Sequence, residues 1–390
     1  MPSQREPFLT AKLQGFGTTI FAEMSGLALA TDSINLGQGF PDTDAPREVL
    51  DAAIAAINGG LNQYPPGPGM PVLRQAIADH QQRFYGLTYD PDREVLVTAG
   101  ATEALAGALL GLLDTGDEVV VLDPMFDSYA PCIALAGAIA RPVLLRPPLY
   151  TFDPDELRAA VSPKTKLILL NTPHNPTGRV FSTEEMQCIA DLAIERDLIV
   201  VTDEVYEHLV FDGAQHIAMA SLPGMRDRTL SISSGGKTFN ATGWKIGWLC
   251  GPPALVQAAR TAKQFLTYVS GGPFQPAIAL GLGLSDAFFE GVATDLQAKR
   301  DRLLPGLLEA GFTVFPTSGT YFVTVDIRPL QPDGDGMAFC RALPRHCRVV
   351  AIPNEVLYAN KVAGRHLVRF AFCKRLDVID EAVARLKTLG

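Results

Sequence analysis

No apolar run in the 390-residue sequence approaches about 18 residues, and no basic start is followed by an apolar core. Neither a membrane span nor a secretory leader is therefore expected, and the chain reads as cytoplasmic. The six cysteines (Cys132, Cys188, Cys250, Cys340, Cys347, Cys373) form no C-x-x-C pair. In a chain of this length that leaves them as reduced core residues rather than a disulfide framework. Positive charge is also scarce: 33 Lys and Arg against 42 Asp and Glu give a net charge of −9. General affinity for nucleic acid is not expected, and an anionic substrate would need a local cation to hold it. No internal repeat, low-complexity tract or charged tail stands out. The composition that remains, 47% hydrophobic and 19% charged, is that of a globular enzyme, and the length suggests two or three domains.

Short aliphatic runs alternate with longer helical patterns. Strands are expected at Val95–Thr98, Val119–Leu122, Leu167–Leu170, Leu198–Thr202 and Thr229–Ile232, and helices at Glu103–Leu113, Thr183–Glu195 and Ala254–Tyr268. Thr183 is a plausible N-cap for the second helix. This alternation predicts an α/β fold, with a mostly parallel sheet covered by helices on both faces. Beyond about residue 285 the texture changes. A charged helical stretch (Asp295–Arg302) precedes strands near Thr313–Phe315, Tyr321–Val325, Val349–Ile352 and His366–Phe372, then a last helix. The expected organisation is an N-terminal arm over 1–45 packing with the small domain, a large domain over 46–284 and a smaller α+β domain over 285–390.

Chemistry collects just past the strands. VLVT runs into AGATEAL, VVVL into DPMFDSY, LILL into NTPHNPTG, LIVVT into DEVYEHLV, and LSI into SSGGKTF. Ligands of open α/β sheets bind outside the carboxyl ends of the strands, so five distant segments can converge on one site. The segment SSGGKTF suggests a phosphate loop, but Ser231 stands where a P-loop needs glycine, and no G-x-G-x-x-G/A follows a strand. Lys237 on that glycine-rich turn can be partly desolvated, which favours the neutral amine needed for a Schiff base. Taken alone it reads as an ordinary loop lysine. Asp203 ends its strand, where a buried carboxylate needs a cation or donors; it reads either as the partner of a protonated pyridine nitrogen or as the N-cap of a helix over Glu204–Val210. Tyr206 would lie on the same helical face. Asn175 offers an amide, or is simply a turn residue.

Gly100, Ala101 and Thr102 open a helix after a strand, where free amides and the helix dipole suit a phosphate; Ser234 and Lys245 add a hydroxyl and a positive charge. Phe126 reads either as a core ring or as one lying flat on a cofactor. Arg369 sits inside the apolar run HLVRFAFC, where its planar fork needs a carboxylate, from a substrate or from an internal Asp or Glu. No metal is called for.

The set NPTG, DEVY, S-x-G-K-T-F-x-x-T-G-W-K-x-G-W and VRF resembles the class I/II aminotransferases of pyridoxal 5'-phosphate (PLP) fold type I, over essentially the whole chain. Finer wording (NLGQGFPD, NQYPPGPG, VTAGATEAL, VTDEVYEHLVFDG) is similar to the kynurenine and methionine aminotransferase branch. Within it the chain most resembles the actinobacterial N-succinyldiaminopimelate aminotransferases, through AKQFLTYVSGGPFQPA and HLVRFAFCKR. The resemblance implies that Lys237 carries PLP as a Schiff base and that Asp203 pairs with the pyridinium nitrogen. It places Tyr206 and Asn175 on the phenolic oxygen, Phe126 on the ring, and the Ala101 and Thr102 amides, Ser234 and Lys245 on the phosphate. Arg369 and the Gly39 backbone would hold the substrate α-carboxylate. Tyr64 would reach the phosphate of a neighbouring subunit, so a homodimer with shared active sites is implied. Lys245 stands where many relatives have arginine. The arginine that dicarboxylate-specific relatives carry near the segment Tyr268–Phe274 is absent, which disfavours aspartate as donor. Transamination with 2-oxoglutarate is implied, with N-succinyl-LL-2,6-diaminopimelate as donor in lysine biosynthesis. A broad methionine or kynurenine-type aminotransferase and a cysteine-S-conjugate β-lyase are the alternatives. Side-chain choice is expected to lie with Ile20–Phe21, Thr102, Tyr268–Phe274 and Tyr358.

Overall fold

The computed structural model describes residues 8–17 and 19–389. Residues 1–7 and 18, within the expected arm, and residue 390 lie outside the described residues. The central element is a seven-stranded sheet whose spatial order is Val95–Ala99, Ile246–Cys250, Thr229–Ser234, Ile199–Asp203, Thr165–Asn171, Glu118–Asp123 and Ile139–Leu144. Ile246–Cys250 is antiparallel to both neighbours, and the remaining adjacent pairs are parallel. Six strands therefore point the same way. Their apolar runs follow from coverage on both faces: Leu167 and Leu169 enter one core while Ile168 and Leu170 enter the opposite one. Two strands were not anticipated. Ile139–Leu144 is an edge strand with only Val143 buried, so it lacks the apolar signature, and Ile246–Cys250 is hidden in a segment whose wording points to Lys245 instead.

Helices Gly100–Leu112 and Pro253–Lys263 pack on one face, and Thr183–Glu195 on the other. The cap of Thr183–Glu195 is Ser182, not Thr183. Its side chain accepts from the Glu185 amide, while Glu185 bonds back to the Ser182 amide, a reciprocal arrangement that satisfies two orphan donors. The helix expected to reach Tyr268 stops at Lys263, whose Nζ donates to the carbonyls of Tyr268 and Gly67 as the following chain runs into turns.

The second sheet has four antiparallel strands in the order Ile352–Pro353, Leu367–Ala371, Phe322–Asp326 and Thr313–Val314. Helices Gly336–Cys347 and Leu376–Leu386 contribute to its core. Helix Ile20–Ala30 buries Ile20, Met24 and Ala28 in that same core, and Ile34–Asn35 pairs in parallel with Val349–Val350. Helix Asp286–Glu309 is far longer than the expected Asp295–Arg302. Its first turns place Phe288 and Phe289 with Phe239 in the core under the large sheet, and its later turns place Leu303 and Leu307 under the small one.

Helices Gly100–Leu112 and Pro253–Lys263 touch closely at Gly111, where an added Cβ would collide with the Ala258 carbonyl. Gly111→Ala must push the two helices apart, and overpacking of this kind costs about 1–3 kcal/mol. Urea unfolding should show that loss, and an unchanged midpoint would mean the helices separate freely.

Candidate active site

Because six strands share a direction, their carboxyl ends form one rim, and most of the expected residues line one cleft there. Asp203 is the last residue of its strand and pairs in register with Asn171, the last of the next. Asn171 Nδ2 donates to the Asp203 carbonyl at 2.8 Å, and its Oδ1 accepts from the Asn175 amide at 2.7 Å. Asn171 thus fixes the turn carrying Asn175 to the strand carrying Asp203. Ser234 ends the next strand, and the single helical turn Gly235–Thr238 lifts Lys237 to the cleft wall. No helix follows Asp203, so the N-cap reading fails. A tight turn over Val205–His208 brings Tyr206 into the cleft instead. Behind it, Glu207 accepts from Ser233 Oγ at 2.5 Å, joining the Tyr206 turn to the strand of Ser234.

Loss of water sets the electrostatics. The Asp203 carboxyl is buried, which pushes it up to about 6, while donors at Tyr129 Oη (2.8 Å from Oδ2) and the Val205 amide (3.3 Å from Oδ1) pull it back. Burial also brings the Lys237 amine down to about 8; Cys373 and Asp203 oppose that shift, and Arg369 and Lys245 reinforce it. Lys237 Nζ lies 2.9 Å from Tyr321 Oη, which in turn donates to the Gly39 carbonyl at 2.6 Å.

At the far end of the cleft, Gly100 turns the chain from strand to helix with φ of +73°, and Ala101 and Thr102 open the helix. A Cβ on Gly100 would stand 3.1 Å from Lys245 Nζ, and one on Gly247 would collide with the Gly100–Ala101 backbone. Bare backbone there lets a cation and a helix N-terminus close on one point. Ser234 and Phe126 line the same cleft, Phe126 edge-on to Tyr129.

Arg369 lies in the middle of strand Leu367–Ala371 with its side chain buried. Its Nη1 donates to Asn175 Oδ1 at 2.8 Å and its Nη2 to the Gly37 carbonyl at 3.0 Å, while the guanidinium lies 3.9 Å above the Phe322 ring. Nε has no partner, and among the described residues Arg369 makes no ion pair. The internal-carboxylate reading is therefore not what the structure holds. Burial lowers the guanidinium to about 10, so it stays charged at neutral pH.

Tyr64, Gly39 and Tyr358 do not line the cleft. Tyr64 is 83% exposed, its ring edge-on to Tyr268 at 5.8 Å, and it does not enter the cleft of its own chain. The Gly39 carbonyl accepts from Tyr321, which leaves the Gly39 amide as the backbone group able to donate to a carboxylate. Tyr358, expected to shape substrate choice, is buried in the core with Tyr150 and Phe315. Sequence reasoning missed Tyr129, Asn171 and Tyr321. The first two had a signal, since DPMFDSY and NTPHNPTG both follow strands. Tyr321 had none, because it reads as one more aromatic at a strand start.

The donor set fits a flat cationic heterocycle carrying a phosphate. A buried carboxylate stands in one part of the cleft; a helix N-terminus, hydroxyl and lysine close another; an amine of lowered basicity stands in the wall. The Arg369 Nε is a buried donor left without a hydrogen-bond partner. Residues 31–386 match the family model described as aminotransferase class I and II. The chain is 51% identical over 391 residues to a probable N-succinyldiaminopimelate aminotransferase DapC of Mycobacterium tuberculosis, covering 97% of this chain and 98% of that one. It is 38% identical over 379 residues to the methionine aminotransferase of Escherichia coli strain K12, covering 97% and 98%. The solved structure of N-succinyldiaminopimelate aminotransferase from Mycobacterium tuberculosis superposes with a TM-score of 0.95 at 52% identity, over 98% of this chain and 100% of that one.

Tyr129→Phe removes a donor from the Asp203 carboxylate. A lost donor disfavours the charged form, so the Asp203 pKa should rise above about 6 by about one unit. Carboxyl-carbon NMR titration of the cofactor-free protein would read this, and an unmoved midpoint would show that the bond contributes nothing in solution.

Proposed function

The chain belongs to the class I and II aminotransferases, and from that premise we propose that it exchanges amino groups between N-succinyl-LL-2,6-diaminopimelate and 2-oxoglutarate, in lysine biosynthesis. The family is generally PLP-dependent. The observation that carries the reading is a weakly basic amine, Lys237, in the cleft wall, with a charged guanidinium, Arg369, that makes no ion pair among the described residues and lies close enough to influence it. The 51% identity to the mycobacterial relative supports the choice of donor.

In this reading Lys237 would carry PLP, Asp203 would face the ring nitrogen, and Tyr206 and Asn175 would meet the phenolic oxygen. Phe126 would cover the ring, while the Ala101 and Thr102 amides, Ser234 and Lys245 would hold the phosphate. PLP, when bound, supplies an aldehyde that links to amines and a ring that draws electrons from the substrate α carbon. The chain supplies the rest. Asp203, ionised above about pH 6, keeps a proton on the atom it faces. Arg369 binds the substrate carboxylate with the help of Asn175 and orients the α C–H bond. The Lys237 amine, once displaced, removes the α proton and later returns one, which a group of pKa about 8 can do near neutral pH. The amino acid would leave as its keto acid with its amino group kept at the bound cofactor, and a second keto acid would take that group up by the same steps in reverse.

A homodimer with shared active sites belongs to the same proposal, supported by the exposed apolar side chains of Tyr64, Phe265, Leu266 and Tyr268. Tyr64 would then serve the partner's phosphate site. We also place the enzyme in the cytoplasm and take the residues up to 45 as an arm, 46–284 as a large domain and 285–390 as a small one. No single helix among the described residues is long and apolar enough to cross a membrane.

Lys237→Ala should abolish turnover together with the near-visible absorbance of the bound cofactor; a variant that kept steady-state transamination would sink the assignment. In a panel of donors with 2-oxoglutarate, the succinylated diaminopimelate should give a kcat/KM at least about tenfold above methionine and aromatic donors. The reverse ranking would move the chain to the methionine or kynurenine type. Release of pyruvate and ammonia from cysteine S-conjugates without an acceptor would mark a β-lyase.

A further inference from the structure

Tyr321 stands at the start of strand Phe322–Asp326, placed by an unusual turn. Thr320 before it is fully buried with φ of +65°, its hydroxyl accepts from the Phe322 amide at 3.0 Å, and its own amide donates to the Leu209 carbonyl. The Tyr321 ring is buried edge-on against Tyr206 at 5.4 Å, and a Cβ on Gly39 would lie 2.9 Å from it. Nothing at this position is loose.

The hydrogen-bond directions follow from valence. A backbone carbonyl can only accept, so the single proton of the Tyr321 hydroxyl goes to Gly39. Toward Lys237 Nζ, at 2.9 Å, the oxygen can only accept. The amine must therefore present an N–H to Tyr321, and its lone pair or remaining protons are left to point elsewhere. The Gly37 carbonyl, two residues before Gly39, accepts from Arg369 Nη2. One backbone loop thus anchors the guanidinium directly and the amine through Tyr321.

We propose that Tyr321 is a positioning residue for the reacting amine: its hydroxyl, locked onto the Gly39 carbonyl, accepts an N–H of Lys237 and fixes the amine in the same frame as Arg369. This rests on the reading of Lys237 as the cofactor lysine, and the two fail separately. The cofactor reading fails through Lys237→Ala, whereas Tyr321 is tested with Lys237 intact.

Tyr321→Phe keeps the ring and removes only the hydroxyl. The acceptor favours the protonated amine over the neutral one, so its loss should lower the Lys237 pKa by about one unit. The other groups that influence the amine, Asp203 and Cys373 raising its basicity and Arg369 and Lys245 lowering it, keep their own side chains in this variant. The midpoint is read in the cofactor-free protein by acetylation of Lys237 with acetic anhydride across pH, quantified on its peptide by mass spectrometry. In the loaded enzyme, kcat should fall about tenfold with the donor KM within about twofold. A midpoint that does not move, whatever happens to kcat, KM or cofactor affinity, overturns the proposal. 3-Fluorotyrosine at position 321 retains the ring and hydroxyl but weakens the acceptor. It should lower the midpoint by less than phenylalanine does, and it provides the test if Tyr321→Phe does not fold. A midpoint equal to that of the unmodified protein in this variant would also overturn the proposal.

Discussion

Loss of water around Lys237 and Asp203 is the constraint on which the rest of the site depends. A buried amine and a buried carboxylate are each driven toward neutrality, the amine to about 8 and the acid to about 6. Between those values both forms of the lysine are accessible while the carboxylate stays ionised. That window exists because neither group is left to pay the full desolvation penalty. Tyr129 and the Val205 amide serve Asp203, Tyr321 serves Lys237, and Asn171 ties the strand of Asp203 to the turn of Asn175. Remove the support and the pair drifts apart; supply too much, as a direct ion pair would, and the lysine stays protonated.

Arg369 is the same problem solved differently. It is buried, charged and without an ion pair among the described residues, held by the neutral oxygens of Asn175 and Gly37 and by the face of Phe322. Carbonyl oxygens and an aromatic face stabilise a guanidinium without neutralising it. In a chain of net charge −9, Arg369 is thus a local positive charge that no carboxylate among the described residues neutralises by an ion pair.

Much of this was legible in the sequence, and the reasons for the remainder are local. Strands buried on both faces announce themselves as aliphatic runs, so Val119–Leu122 and Leu167–Leu170 were plain. The edge strand Ile139–Leu144, with only Val143 buried, was not. Ionisable residues just past strand ends pointed to Asp203 and Lys237, because the geometry of a parallel sheet carries such residues to one rim. The helix expected after Asp203 failed because apolar spacing cannot distinguish one tight turn from the start of a helix. Ser182 was overlooked because Thr183 offers the same hydroxyl one residue later; only the reciprocal bond with Glu185 separates them. Tyr321 was invisible for a different reason. Its role depends on a hydroxyl meeting residues 84 and 282 positions away, and no local pattern encodes that.

Helix Asp286–Glu309 begins in one core and ends in the other, with Phe288 and Phe289 at one end and Leu303 and Leu307 at the other. A recombination experiment that exchanged the four-stranded unit between relatives at position 285 would transplant those two phenylalanines into a foreign setting. Phe239 stacks on Phe288 at 5.8 Å, and Phe84 meets Phe289 at 5.0 Å. These rings would have to be inherited from the same parent as the helix. The natural unit of exchange is therefore set by the helix and its aromatic socket together, Phe84 and Phe239 included, rather than by the loop that precedes the helix.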